Sequence, residues 1–117
     1  KNEGNKVQIV RDIMKMSKGR VLIVDDEEFC ISSVKAMLQV LDINLDQIDF
    51  CITGLEAYNQ IKEGYRLGFT YCLIITDFNM PVMDGILSVR RIRSFLTKNL
   101  SLDLNKQPYI VGVTGHV

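Results

Sequence analysis

The chain has 117 residues, of which 47% are hydrophobic and 24% charged, and its 14 basic and 14 acidic side chains give a formal net charge of zero. This length predicts one domain with a core of modest size, and the apolar fraction excludes a disordered chain. No apolar stretch approaches the roughly 20 residues of a membrane helix and no signal peptide opens the chain, so we expect a cytoplasmic protein without membrane contact from this segment. The widely spaced cysteines Cys30, Cys51 and Cys72 predict free thiols.

The start of the chain differs in charge from the rest. Residues 1–20 carry six Lys or Arg and two acidic residues, a net charge of +4, which leaves −4 for residues 21–117. Val7, Val10 and Ile13 fall at helical spacing. We therefore interpret residues 1–19 as a linker or amphipathic leader helix, with a frayed extension as an open alternative, and residues 20–117 as the domain.

From Arg20 onward, strand and helix patterns alternate. In chain order, the predicted elements are a strand at Val21–Val24, a helix from Phe29 to Leu41, a strand at Ile48–Thr53, a helix from Leu55 to near Gly64, a strand at Cys72–Thr76, a helix from Ile86 to Leu96 and a strand at Tyr109–Val113. Asp84 is placed to cap the third helix, and Thr97 to Gln107 is predicted to be a surface loop.

The predicted strands are apolar throughout instead of alternating with polar residues. Such strands are typical of a parallel sheet that helices cover on both faces. The order βαβαβαβ with right-handed crossovers predicts an α/β fold with a doubly wound parallel sheet. In such sheets, ligands bind beyond the carboxyl ends of the strands.

Acidic residues stand at two of these predicted strand ends. Asp25 and Asp26 follow the first strand, and Asp77 follows the third. If these strands are neighbours, the three carboxylates meet, and two unit charges about 4 Å apart repel by about 4 kcal/mol at an effective dielectric of 20. Mg²⁺ fits such an all-oxygen site. The alternative is that these acids are N-caps and loop residues solvated at the sheet edge.

Three ordered motifs resemble one known family. "VLIVDDE" at 21–27, "DFNMPVMDG" at 77–85 and "VGVTGH" at 111–116 are similar to the receiver domain of two-component response regulators and hybrid histidine kinases. The resemblance implies a flavodoxin-like receiver fold in which Asp77 is the phosphoacceptor. It also implies that Asp25, Asp26, Asp77 and the backbone carbonyl of Asn79 hold Mg²⁺, with Asp26 a direct ligand, and that the hydroxyl of Thr114 binds the phosphoryl group.

The function implied by this resemblance is signalling, without catalysis of its own. The domain takes a phosphoryl group from a phosphohistidine on a histidine kinase or phosphotransfer domain, and the basic leader with the "TGH" ending favours a segment of a hybrid histidine kinase. Receivers normally continue through a fourth helix, a fifth strand carrying a lysine, and a fifth helix. Since the sequence ends at Val117, we expect a receiver fold lacking its last strand and helices. Either the sequence is cut from a longer protein, or a dimer or partner covers the exposed strand edge.

Two alternatives stay open. A degenerate receiver would act only as a protein-interaction module. A phosphohydrolase with an aspartyl nucleophile would need a second Asp where Asn79 stands. The basic residues Arg90, Arg91 and Arg93 are interpreted as a solvated helix face in preference to a partner-binding or nucleic-acid site.

Overall fold

The computed structural model describes residues 19–69, 71–77, 85–102 and 107–113. In these ranges, strands and helices alternate in the order β1 (Arg20–Val24), α1 (Glu28–Val40), β2 (Ile48–Cys51), α2 (Gly54–Leu67), β3 (Tyr71–Asp77), α3 (Gly85–Ser94) and β4 (Tyr109–Val113). A 3₁₀ turn at Leu45–Gln47 precedes β2, and a π-helical turn at Phe95–Asn99 extends α3. Residues 1–18 of the predicted leader (1–19) and the predicted cap Asp84 lie outside the described residues.

The strands form one parallel sheet in the order β2-β1-β3-β4. The prediction of an α/β fold with a doubly wound parallel sheet is confirmed, and the first and third strands are neighbours. No helix within the described ranges has both the length and the apolar character needed to cross a bilayer.

The core has two layers because successive residues of β1 point to opposite faces of the sheet. On one face, Ile31 and Leu38 of α1 pack with Val21 and Ile23. The other face is covered by α2 and α3, whose buried residues join those of β1 and β3 in a second cluster that includes Leu22, Val24, Ala57, Ile61, Ile74, Ile92 and Leu96. β1 is therefore buried on both sides, which fixes the position of the residues that follow it.

The helix predicted from Phe29 to Leu41 exists, but only part of its apolar pattern faces the sheet: Val34, Leu38 and Leu41 pack on the core. Phe29 is 80% exposed and Met37 is also exposed, whereas Ile31 and Leu38 are buried. The helix begins at Glu28. It carries apolar residues on two sides, and the periodicity of the sequence does not distinguish which side packs on the sheet. The branched chain of Ile31 lies on the face that the sheet covers.

The junction between β2 and α2 also differs from the prediction. β2 ends at Cys51, and the predicted strand residue Thr53 is instead the N-cap of α2, where its hydroxyl accepts a hydrogen bond from the Glu56 amide at 3.1 Å. The Glu56 carboxylate in turn accepts one from the Ile52 amide at 3.1 Å, an arrangement close to a capping box. α2 continues past Gly64 to Leu67, where Gly68 adopts the left-handed conformation with φ of 94°.

The prediction of a surface loop from Thr97 to Gln107 is wrong for the residues at both of its ends. Thr97 lies in the π-helical turn. Gln107 is buried, and its side chain accepts a hydrogen bond from Arg93 and donates to Thr97 and to the Leu102 carbonyl. This network ties the end of α3 to the start of β4.

Candidate functional site

The acidic residues predicted to meet do follow neighbouring strand ends. Val24 of β1 is the partner of Thr76 in β3, so the next residue along each strand is Asp25 and Asp77 respectively. Asp77 is the last residue of β3, one residue further than predicted, because it pairs with Val113 of β4. The backbone therefore brings the ends of β1, β3 and β4 to one edge of the sheet, where parallel α/β folds bind ligands.

The two acids after β1 have different environments. Asp25 is only 3% exposed, and its Oδ1 accepts a hydrogen bond from the Glu27 amide at 2.9 Å. Its own amide donates to the Cys51 carbonyl at 3.1 Å, which continues the ladder between β1 and β2. Asp26 is exposed to solvent. The Asp25 carboxylate is thus buried at the end of β1, while the Asp26 carboxylate is accessible to a ligand from solution.

Three of the residues predicted to form the site are not described in full. The side chain of Asp77, together with Asn79 and Thr114, lies outside the described residues. Among the side chains that are described, no three His, Cys, Asp or Glu residues cluster closely enough to hold a metal ion. The predicted ligands that the structure does place are the carboxylates of Asp25 and Asp26, both hard oxygen donors of the kind that Mg²⁺ takes.

One buried hydroxyl beside the site was missed by sequence analysis. Thr76 is buried directly before Asp77, and within the described part of the chain its Oγ1 has no hydrogen-bond partner. A buried polar group without a partner costs about 1–3 kcal/mol, which is why such groups are rare away from functional sites. The available signal was a lone hydroxyl residue in the otherwise apolar run before Asp77.

A second polar network lies at the opposite edge of the sheet, where the strands begin. Arg20 donates to both carboxylate oxygens of Asp49, at 2.9 and 2.8 Å, and the Tyr71 hydroxyl donates to the same carboxylate at 2.6 Å. The hydrogen bonds from Arg20 hold the pKa of Asp49 below its usual value. The pKa of Tyr71 is raised, mainly by burial and also by the hydrogen bond that its hydroxyl donates to Asp49. This network joins the starts of β1, β2 and β3 and lies away from the acidic site.

The helix that follows the acidic pair presents an apolar outer face. α1 begins two residues after Asp26, and Phe29, Met37 and Val40 on its outward side are exposed. Their spacing places them on one side of the helix, opposite Ile31 and Leu38. An exposed apolar face next to a candidate site is a feature of protein-binding surfaces.

The chain is similar to known proteins along most of its length. Residues 21–116 match the response regulator receiver domain family. The chain is 34% identical over 74 residues to the osmosensing histidine protein kinase SLN1 of Saccharomyces cerevisiae, covering 63% of this chain and 6% of the kinase. It is 31% identical over 84 residues to histidine kinase 5 of Arabidopsis thaliana, covering 72% of this chain and 8% of that protein. The chain thus spans a small fraction of the curated relatives that it matches.

Solved structures show the same similarity. The receiver domain of the Arabidopsis thaliana histidine kinase CKI1, crystallised with Mg²⁺ and BeF₃⁻, superposes with a TM-score of 0.65 at 28% identity over 91% of this chain and 72% of that one. The receiver domain of the Saccharomyces cerevisiae response regulator Ssk1, co-crystallised with the histidine phosphotransfer protein Ypd1, superposes with a TM-score of 0.62 at 30% identity, covering 80% of this chain and 61% of that one.

Proposed function

The chain belongs to the response regulator receiver domain family, and from that premise we propose that Asp77 is its phosphoacceptor and that Asp25 and Asp26 hold Mg²⁺ beside it. As a receiver domain, the chain is a phosphoacceptor module of two-component phosphorelay signalling. The observation that carries the residue assignment is the register of β1 and β3, which makes Asp25 and Asp77 the next residues after a paired Val24 and Thr76.

The proposed reaction moves one phosphoryl group. A carboxylate oxygen of Asp77 attacks the phosphorus of a phosphohistidine, an oxygen–phosphorus bond forms, and the nitrogen–phosphorus bond breaks with its electron pair left on the imidazole. The product is an acyl phosphate, whose lability suits a reversible signal. The domain supplies position and charge for this transfer, so we assign it as a signalling domain and not as an enzyme that turns over a separate substrate.

The described acids fit the proposed metal by their chemistry. Asp25 is held by the Glu27 amide at the buried end of β1, so its carboxylate is oriented before any ligand arrives. Asp26 is exposed and takes the direct ligand role. Bound Mg²⁺ would neutralise charge on the phosphoryl oxygens. The CKI1 receiver crystallised with Mg²⁺ supports this assignment, and the backbone carbonyl of Asn79 and the hydroxyl of Thr114 complete the proposed site.

The partner proposed for this site is a phosphohistidine donor that docks on α1. The donor imidazole must come within bonding distance of Asp77, so the surface around the strand ends must contact the donor. α1 begins next to the acidic pair, and its exposed Phe29, Met37 and Val40 offer apolar area that a donor protein can bury. The complex of the Ssk1 receiver with Ypd1 supports a histidine kinase or a phosphotransfer domain as this donor. We place the domain in the cytoplasmic part of a hybrid histidine kinase.

Incorporation of phosphate tests the proposal. The chain is incubated with acetyl phosphate with and without Mg²⁺, and intact mass is measured for wild type, Asp77→Asn and the control Asp46→Asn, which changes an exposed acid in the turn before β2. We expect addition of one phosphoryl group in wild type and Asp46→Asn only with Mg²⁺, and none in Asp77→Asn.

The same assay separates the alternatives when it is repeated on a chain extended at its C-terminus. Folded protein that takes up no phosphoryl group in either length would contradict the phosphoacceptor role and leave an interaction module on a receiver fold. Continuous turnover of a phosphate ester would instead indicate a phosphohydrolase.

A further inference from the structure

We propose that the outer surface shared by α2 and α3 docks an acidic amphipathic helix of a partner protein, independently of phosphotransfer. This cation–aromatic surface consists of Leu55, Tyr58 and Lys62 on α2, Leu87 and Arg91 on α3, and Phe95 in the π-helical turn. The two helices pack against each other on the face of the sheet opposite α1.

The centre of the cation–aromatic surface is a pair of rings with two cations over them. Tyr58 and Phe95 meet edge to face with ring centroids 6.1 Å apart. The guanidinium carbon of Arg91 lies 4.8 Å from the Tyr58 centroid, and Lys62 Nζ lies 5.0 Å from the same centroid. These cation–π contacts favour one position for each charge at the protein surface. A partner therefore meets pre-ordered cations and loses less side-chain entropy when it binds.

These cations have no acidic partner within the described residues. Residues 85–102 contain no Asp or Glu. On α2, the Glu56 carboxylate accepts from the Ile52 amide, and Glu63 forms an ion pair with Arg66. Lys62 and Arg91 consequently form no ion pair with any described carboxylate. The surface presents positive charge that a partner's carboxylates would complement.

The arginines predicted to share one helix face are in fact divided. Arg93 is turned to Gln107 and to the Pro108 carbonyl, at 2.8 and 3.0 Å. Arg91 lies over Tyr58, whereas Arg90 is exposed and lies over no ring among the described residues. Arg90 is therefore a matched control for Arg91, since it is the same residue one position away.

Two exposed leucines decide the kind of acidic partner. Leu55 is 46% exposed and Leu87 is 48% exposed, and each lies in the first turn of its helix. A nucleic-acid backbone offers nothing apolar to cover them. An amphipathic helix can bury leucine side chains with its apolar face while carboxylates on its flanks reach Lys62 and Arg91. This combination favours an acidic protein segment over a polyanion.

Chemical-shift mapping on the ¹⁵N-labelled chain tests the proposal. The probe is a synthetic peptide of about 18 residues with Leu at three- and four-residue steps and Glu between them. We expect saturable shifts on the outward positions of α2 and α3, with a Kd below about 1 mM. Lys62→Glu and Arg91→Glu should each weaken binding at least about fivefold, while Arg90→Glu should change it less than about twofold.

Two further probes and a fold check make each outcome decisive. The same peptide with Lys in place of Glu should not bind, and a thymidine oligonucleotide should bind more weakly than the acidic peptide. Circular dichroism verifies that each variant is folded, and Lys62→Glu tests the surface without removing the Arg91 contact. The proposal is overturned by absent or unsaturable shifts, by an equal effect of Arg90→Glu, by binding of the Lys peptide, or by tighter binding of the oligonucleotide.

Discussion

The buried side chain of Gln107 should contribute about 3 kcal/mol to the free energy of unfolding. Its Oε1 accepts from Arg93 at 2.8 Å, and its Nε2 donates to Thr97 Oγ1 at 2.9 Å and to the Leu102 carbonyl at 2.8 Å. Each such bond contributes about 1 kcal/mol net, so Gln107→Ala removes about 3 kcal/mol. At this chain length, that loss corresponds to a decrease in Tm of roughly 12 °C.

Urea denaturation followed by far-UV circular dichroism measures this loss. Gln39→Ala is the control, because Gln39 is exposed on α1, and it should stay within about 0.5 kcal/mol of wild type. Gln107→Glu retains an acceptor for Arg93 but loses both donated bonds, so we expect an intermediate stability. Combining Gln107→Ala with Arg93→Met should cost less than the sum of the single changes because the two share a bond. A loss below about 1 kcal/mol for Gln107→Ala, at an unchanged m-value, would refute the assigned network.

Three further predictions concern the cap, the strand-start network and the thiols. Thr53→Ala should lower the free energy of unfolding by about 1 kcal/mol, and Thr53→Ser should preserve it; an equal loss in both would show that the cap hydroxyl is unimportant. Because Arg20 lowers the pKa of Asp49, the stability this carboxylate contributes is complete above its unfolded pKa of about 3.9 and is lost as the pH falls further. The difference in urea midpoint between wild type and Asp49→Asn should therefore be steady above about pH 4 and shrink as the pH falls below it, and a constant difference at low pH would contradict the linkage. Burial raises the pKa of the Cys51 thiol to about 12, so a thiol reagent at neutral pH should label the partly exposed Cys30 well before Cys51, whereas equal rates would be inconsistent with this burial.

The strands and the acidic edge of the sheet could be predicted because buried parallel strands leave a simple signal. β4 has the predicted bounds, Tyr109–Val113, and β1 differs by one residue at its start. β1 and β3 are apolar because helices cover both of their faces, and a polar residue follows where each of them reaches the end of the sheet. The neighbourhood of Asp25 and Asp77 then follows from the parallel order of β1 and β3.

The buried face of α1 and the hydrogen bonds between residues far apart in the sequence could not be predicted, for physical reasons. α1 carries apolar residues on two sides, and periodicity alone cannot tell that Phe29 is exposed while Ile31 is buried. The segment before β4 looks like a loop because its polar composition hides the role of Gln107, whose partners lie 5 to 14 positions away. Hydrogen bonds between such distant side chains have no periodic signature in the sequence.

The position of β1 between β2 and β3 gives the acidic site an order of assembly during protein synthesis. The ribosome delivers β1 and the acidic pair first, and β1 can pair with β2 as soon as that strand emerges. Asp77, the proposed acceptor, arrives only with β3, which must then pair along the other side of β1. Non-local parallel pairing of this kind forms slowly. A nascent chain that ends before β3 therefore lacks the proposed acceptor, and under the proposed function a donor protein could not transfer a phosphoryl group to it.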